Sequence, residues 1–174
     1  MTHPIVSVCT AVLCLWGGST SAQDLYRSGG RWLDDQGRTY TLDSLKGSFT
    51  VATLAYGACR RVCSSSLRLM QKVQSLADER GLVLNFVVIG LDPEQDKPAD
   101  WAEFRRDRAL TRSNWRFLSG DADAVRRVAN HLGVRYWRYG EHTMHDFRIA
   151  LLSPDGRVLR SVDAFDADLL TLLP

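Results

Sequence analysis

The amino-acid sequence predicts an α/β layer fold, on three observations. Residues 48–56 (SFTVATLAY) and 82–90 (LVLNFVVIG) are strongly apolar, β-rich runs of the kind that form buried strands. After each of them the apolar residues recur at helical spacing. A turn-punctuated pair of short strands stands near each end. With 174 residues the chain can bury one core of its own, and no repeat, low-complexity tract or second domain interrupts it.

Taken in order, a polar stretch at 23–30 leads to Arg31-Trp32-Leu33 and Thr39-Tyr40-Thr41-Leu42, which flank Asp34-Asp35-Gln36-Gly37 as a hairpin. The strand at 48–56 delivers the chain to Gly57-Ala58-Cys59. From Cys63 onward Leu69, Val73 and Leu76 fall on one helical face with Met70 beside them. Ser64, Ser65 and Ser66 suit the start of that helix, and Gly81 suits its end. The strand at 82–90 is followed by the loop 91–98 (LDPEQDKP), and Trp101 and Phe104 then mark a short amphipathic helix. A brief strand at 115–118 precedes a second helix from about Asp121, with the stripe Val125, Val128, Ala129, Leu132 and a stop at Gly133. Strands at 148–152 and 157–162 flank the turn Ser153-Pro154-Asp155-Gly156, and 166–173 is expected to be a final helix. This order fits a thioredoxin-like fold with an N-terminal β-hairpin and a C-terminal β-hairpin plus helix.

A formal net charge of +2 gives no reason to expect nucleic acid or an anionic membrane as partner. Residues 1–22 contain no Asp, Glu, Lys or Arg; an apolar run at 4–16 is followed by Gly17-Gly18 and Ser19-Thr20-Ser21-Ala22. Small residues at Thr20 and Ala22 suit signal-peptidase cleavage before Gln23. The expectation is a signal peptide at 1–22 and a mature domain at 23–174, periplasmic or otherwise exported and soluble after cleavage. Retention of the leader, as a membrane anchor or as a buried N-terminal helix, is the other reading, and membrane contact is expected only if the leader is retained.

Cleavage would remove Cys9 and Cys14 and leave Cys59 and Cys63 as the mature chain's thiols. Such a pair has three fates: a structural disulfide, a redox couple or a soft-metal site. The first is the weakest, because closing so short a loop constrains the unfolded chain little. At a strand-to-helix junction backbone N–H groups and the helix dipole stabilise thiolates, and Arg60 and Arg61 add positive charge. Three residues separate the cysteines, where thioredoxin-type oxidoreductases have two. Two thiolates at i and i+4 favour Cu(I), and a harder third ligand helps to hold Cu(II). His131 reads as a partly exposed residue near a helix end, and His142 and His145 as loop residues before the 148–152 strand. In a layer fold of this kind the chain entering that strand lies near the cysteine turn.

Tyr56-Gly57-Ala58-Cys59-Arg60-Arg61-Val62-Cys63, followed by Leu67, resembles the signature of the Sco/SenC copper chaperones. The acidic, proline-containing loop 90–98 resembles theirs, and His145, eleven positions before Gly156, matches the family's ligand histidine while His142 does not. The chain departs in carrying Arg60 where the family usually has Pro, and Met144 where it often has Asp. The resemblance implies one copper ion, Cu(I) or Cu(II), held by Cys59, Cys63 and His145. It further implies delivery of copper or electrons to the CuA-bearing subunit of a respiratory oxidase, such as cytochrome c oxidase, or of nitrous oxide reductase. Asp92 is either a support behind the ligands or a solvated loop carboxylate, and Met144 either a fourth ligand or a packing residue. Arginines at 105, 106, 108, 126, 127, 135 and 138 form either a docking face or ordinary solvated surface.

The rival reading is a periplasmic thiol–disulfide oxidoreductase in which Cys59 and Cys63 are the redox couple, recharged by a thiol-reducing partner. A metal-transfer protein has no turnover of its own. His145 favours it, because a dithiol oxidoreductase does not need that residue.

Overall fold

Every residue of the strand Thr50–Ala55 is buried, which places it in the middle of a layered molecule with both faces covered. The computed structural model describes residues 24–57 and 62–174, without the side chains of 62–64. The expected leader therefore lies outside the described residues.

The strands are β1 (Trp32–Asp34), β2 (Thr39–Tyr40), β3 (Thr50–Ala55), β4 (Asn85–Gly90), β5 (Trp115–Gly120), β6 (Tyr136–Tyr139), β7 (His142–His145), β8 (Ile149–Leu152) and β9 (Val158–Val162). The helices are α1 (Val62–Glu79), α2 (Pro98–Asp107) and α3 (Ala122–Leu132). Seven strands form one sheet in the order β2-β1-β5-β4-β3-β8-β9, and β6 and β7 form a separate two-stranded ribbon. β4 lies parallel to both β3 and β5, while β1 pairs antiparallel with β5 and β8 antiparallel with β3.

Alternation along the central strands divides the interior in two. Val51, Phe86, Val88 and Phe117 face the side covered by Met70 and Val73 of α1 and Trp101 and Phe104 of α2. Ala52, Leu54, Val87, Ile89 and Leu118 face Val125, Val128 and Leu132 of α3. The caps of α3 follow the expectation: the Asp121 carboxylate accepts from the Ala124 N–H at 2.8 Å, and Gly133 closes the helix at φ 66°.

Three expectations need correction. The final helix is only a single 3-10 turn, Leu169–Leu172, capped by Asp168, because so short a segment cannot offset the cost of helix nucleation. The stretch 23–30 is not merely polar: Leu25 and Tyr26 are buried, and the Tyr26 hydroxyl donates to Thr50 Oγ1 at 3.0 Å. His142 and His145 stand on a strand, not in a loop. Tyr136 pairs with His145 and Tyr139 with His142 across a two-residue turn at Gly140-Glu141. Gly140 has φ 58°, the sign that a II′ hairpin turn requires at its first position.

Candidate metal centre

The sheet register brings the end of β3 beside the start of β8. Thr53 of β3 is opposite Ile149 of β8, and its hydroxyl donates to the Arg148 carbonyl at 2.7 Å. The chain leaving β3 towards Cys59 therefore runs beside the chain that leaves β7 and enters β8. Cys59 lies outside the described residues. Cys63 lies in the first turn of α1, without a described side chain. The helix dipole favours a thiolate at that position.

His145 ends β7 and is half-buried, on the inward side of a ribbon whose His142 and Met144 are exposed. Its Nδ1 lies 2.9 Å from the Asp146 carbonyl oxygen. A carbonyl can only accept, so Nδ1 carries the proton and Nε2 carries a lone pair. That Nε2 is buried and has no hydrogen-bond partner among the described residues. Burial holds the imidazole below the usual histidine range, although the Asp146 carbonyl and carboxylate pull the other way. A neutral imidazole with one nitrogen fixed by a backbone acceptor and the other buried without a partner among the described residues suits a soft or borderline metal ion. The donor set of two thiols and one imidazole thus fits copper in its chemistry.

The other histidines do not share this arrangement. His131 Nε2 is 3.1 Å from the Gly156 carbonyl, in the β8–β9 turn at the opposite end of the sheet, and burial lowers its pKa. His142 faces outward opposite Tyr139, and Met144 faces outward opposite Trp137. Met144 is 44% exposed, so it does not pack in the core.

The loop after β4 joins both halves. The Gly57 N–H donates to Asp96 Oδ1 at 2.7 Å, and the Asp92 N–H donates to Asp96 Oδ2 at 2.8 Å. Burial pushes the Asp96 carboxyl up to about 6, against the backbone N–H groups that favour its charge. A β-carbon at Gly57 would stand 2.9 Å from Asp96 Oδ1, and one at Gly90 would stand 2.6 Å from Asp96 Cβ. Both glycines are therefore needed for the loop to close on the strand ends. Asp92 is 5% exposed, which settles its alternatives against a solvated carboxylate. It accepts from Arg138 Nη1 at 2.8 Å and from the Thr143 hydroxyl at 3.3 Å, both on the ribbon.

Sequence reasoning missed Asp96 and Thr143, and weighed Arg138 only as part of a docking face or solvated surface. The DPEQD string carries two acids four residues apart, but nothing in it shows that they face different elements. Several of the arginines are held within the chain. Arg105 pairs with Asp35 at 2.9 Å, Arg135 with Asp146 at 2.8 Å, and Arg127 donates to the Ser28 carbonyl at 2.7 Å.

A central sheet with β4 parallel to β3 and β5, flanked by helices on both faces, defines a thioredoxin-like α/β protein. The SCO1/SenC family model matches residues 21–169, and the chain belongs to that family. The SCO1 protein homolog of Bacillus subtilis is 23% identical over 137 residues, covering 76% of this chain and 71% of the relative. The fold matches Arabidopsis thaliana ScoI, solved with copper bound, at a TM-score of 0.71 and 20% identity over 82% of this chain and 90% of that one. It also matches BsSco, described with a disulfide switch and as a member of the Sco family of cytochrome c oxidase assembly proteins. There the TM-score is 0.68 and the identity 23%, over 79% of this chain and 82% of that one. Among the described residues no helix is long and apolar enough to cross a membrane.

Proposed function

We propose that the exported domain, residues 23–174, carries one copper ion on the thiolates of Cys59 and Cys63 and on His145 Nε2. It serves assembly of the CuA centre of a respiratory oxidase such as cytochrome c oxidase, or of nitrous oxide reductase. The observation that carries this reading is the buried Nε2 of His145, without a partner among the described residues, whose other nitrogen is held by the Asp146 carbonyl. The thiolates suit Cu(I), the imidazole extends the site towards Cu(II), and the copper is cargo passed on to the partner.

The test is reconstitution of the reduced mature protein with copper, comparing wild type and His145→Ala for stoichiometry and affinity. The expected result is one ion per chain and an affinity at least about tenfold lower in the variant, or about 1.4 kcal/mol. Copper binding no tighter than that of a simple dithiol peptide, and indifferent to His145, would exclude the carrier.

The disulfide switch described for BsSco favours a second reading, reduction of the CuA cysteines. Here Cys59 and Cys63 transfer two electrons and two protons to a partner disulfide and are left as a disulfide themselves. A thiol-reducing partner then restores them. Turnover on a disulfide substrate that persists in His145→Ala would mark this role, since the imidazole takes no part in it.

A further inference from the structure

Residues 92–96 make hydrogen bonds in two directions. Towards the cysteine side, Asp96 accepts from the Gly57 N–H, and the Tyr56 hydroxyl donates to Gln95 Oε1 at 2.9 Å. Towards the histidine side, Asp92 accepts from Arg138 of β6 and Thr143 of β7. Between the two the loop is closed on itself: Asp96 N–H donates to the Asp92 carbonyl at 2.7 Å, and Glu94 N–H donates to Asp92 Oδ1 at 3.0 Å. Among the described residues the ribbon has no ladder with the main sheet. A two-stranded ribbon is marginal by itself, so what holds it to the rest of the molecule sets where it sits.

We propose that this loop is a clamp that fixes the ribbon bearing His145 to the chain at Tyr56 and Gly57 after β3, with Asp92 and its partners Arg138 and Thr143 as positioning residues for the imidazole. Thr143 is two residues before His145 and on the same face of β7, so the bond to Asp92 holds the strand at the place where the imidazole turns inward. Asp92 is the buried hub of the contact, whereas the Arg138 side chain is 57% exposed and reaches in from solvent. The inference rests on His145 being a ligand, and the experiment separates the two claims.

Arg138→Met keeps the stem and removes the guanidinium. Thr143→Val keeps the shape and removes the hydroxyl; neither substitution empties the core. Amide hydrogen exchange of the apo protein is measured first, comparing β6–β7 with α3. Copper affinity is then measured for each variant in the wild-type and His145→Ala backgrounds. The clamp predicts ribbon exchange about tenfold faster with α3 unchanged. It also predicts a severalfold loss of copper affinity that vanishes once His145 is already alanine. A purely structural role would lower affinity equally in both backgrounds and would overturn the proposal. Unchanged ribbon exchange in both variants would overturn it as well, and so would faster exchange with undiminished affinity where His145→Ala does weaken binding. If His145→Ala itself binds copper like wild type, the ligand reading falls, and ribbon exchange alone decides whether the clamp exists.

Discussion

The central sheet and the β6–β7 ribbon are held by different forces. β3, β4 and β5 are covered on both faces, and Phe86 is fully buried and stacked on Trp115 at a centroid distance of 5.0 Å. Apolar burial of this kind is non-directional and tolerates no displacement without a cavity. The ribbon instead exposes Trp137, Tyr139 and Met144 and is tied inward by the polar contacts of Asp92 with Arg138 and Thr143. Directional bonds fix a position at lower total cost, and each can be removed singly. The apolar part of the molecule thus holds the end of β3, while the part tied by polar contacts holds His145.

Truncation in the sheet should produce the largest effect. Phe86→Ala is expected to cost about 3–5 kcal/mol, read from denaturant unfolding. Ribbon amides should then exchange faster only to the extent that the whole protein unfolds; a selective change in the ribbon would mean that the two regions are not separable in this way.

Asp96 stands between the regions and should give the next effect. Its carboxyl has an ordinary value of 3.8 and is raised to about 6 in the folded protein, chiefly by burial. The folded state therefore holds the proton more tightly than the unfolded chain. This group's contribution to stability is greatest below about pH 4 and declines as pH rises to about 6, by roughly 3 kcal/mol in total. Urea midpoints for wild type and Asp96→Asn between pH 4 and 7 check this: the variant should lack that slope. It should also lose about 1–3 kcal/mol, because an amide cannot accept from both Gly57 and Asp92. Parallel slopes for the two proteins would contradict the assignment.

The smallest effect belongs to the ribbon's outer face. Trp137 stands opposite Met144, and Trp137→Ser should weaken that pair by about 0.2–1 kcal/mol. The change should appear in amide exchange of β6–β7 and leave the global unfolding midpoint where it was.

Much of the fold was legible because period and punctuation agree. Residues 48–56 and 82–90 read as buried strands, and the α3 stripe with Asp121 and Gly133 at its ends read as a capped helix. The ribbon was not legible, since Tyr-Trp-Arg-Tyr and His-Thr-Met-His carry no strong apolar alternation, and Gly140-Glu141 is a weak turn signal. The last segment misled because Leu169, Leu170, Leu172 and Leu173 satisfy a helical pattern, of which the structure forms only the 3-10 turn Leu169–Leu172.

The sequence by itself determined the α/β layers, the cysteine pair at the end of a buried strand and the family that its spacing resembles. Those properties are local: they follow from the apolar period, glycine punctuation and residue order along one stretch of chain. Only the tertiary structure decided that His145 is half-buried with its Nε2 buried and unpaired among the described residues while His142 faces outward, and that Asp92 and Asp96 bind different elements. These depend on which face of a ribbon turns inward and on bonds between residues 39 and 46 positions apart, which no local pattern encodes.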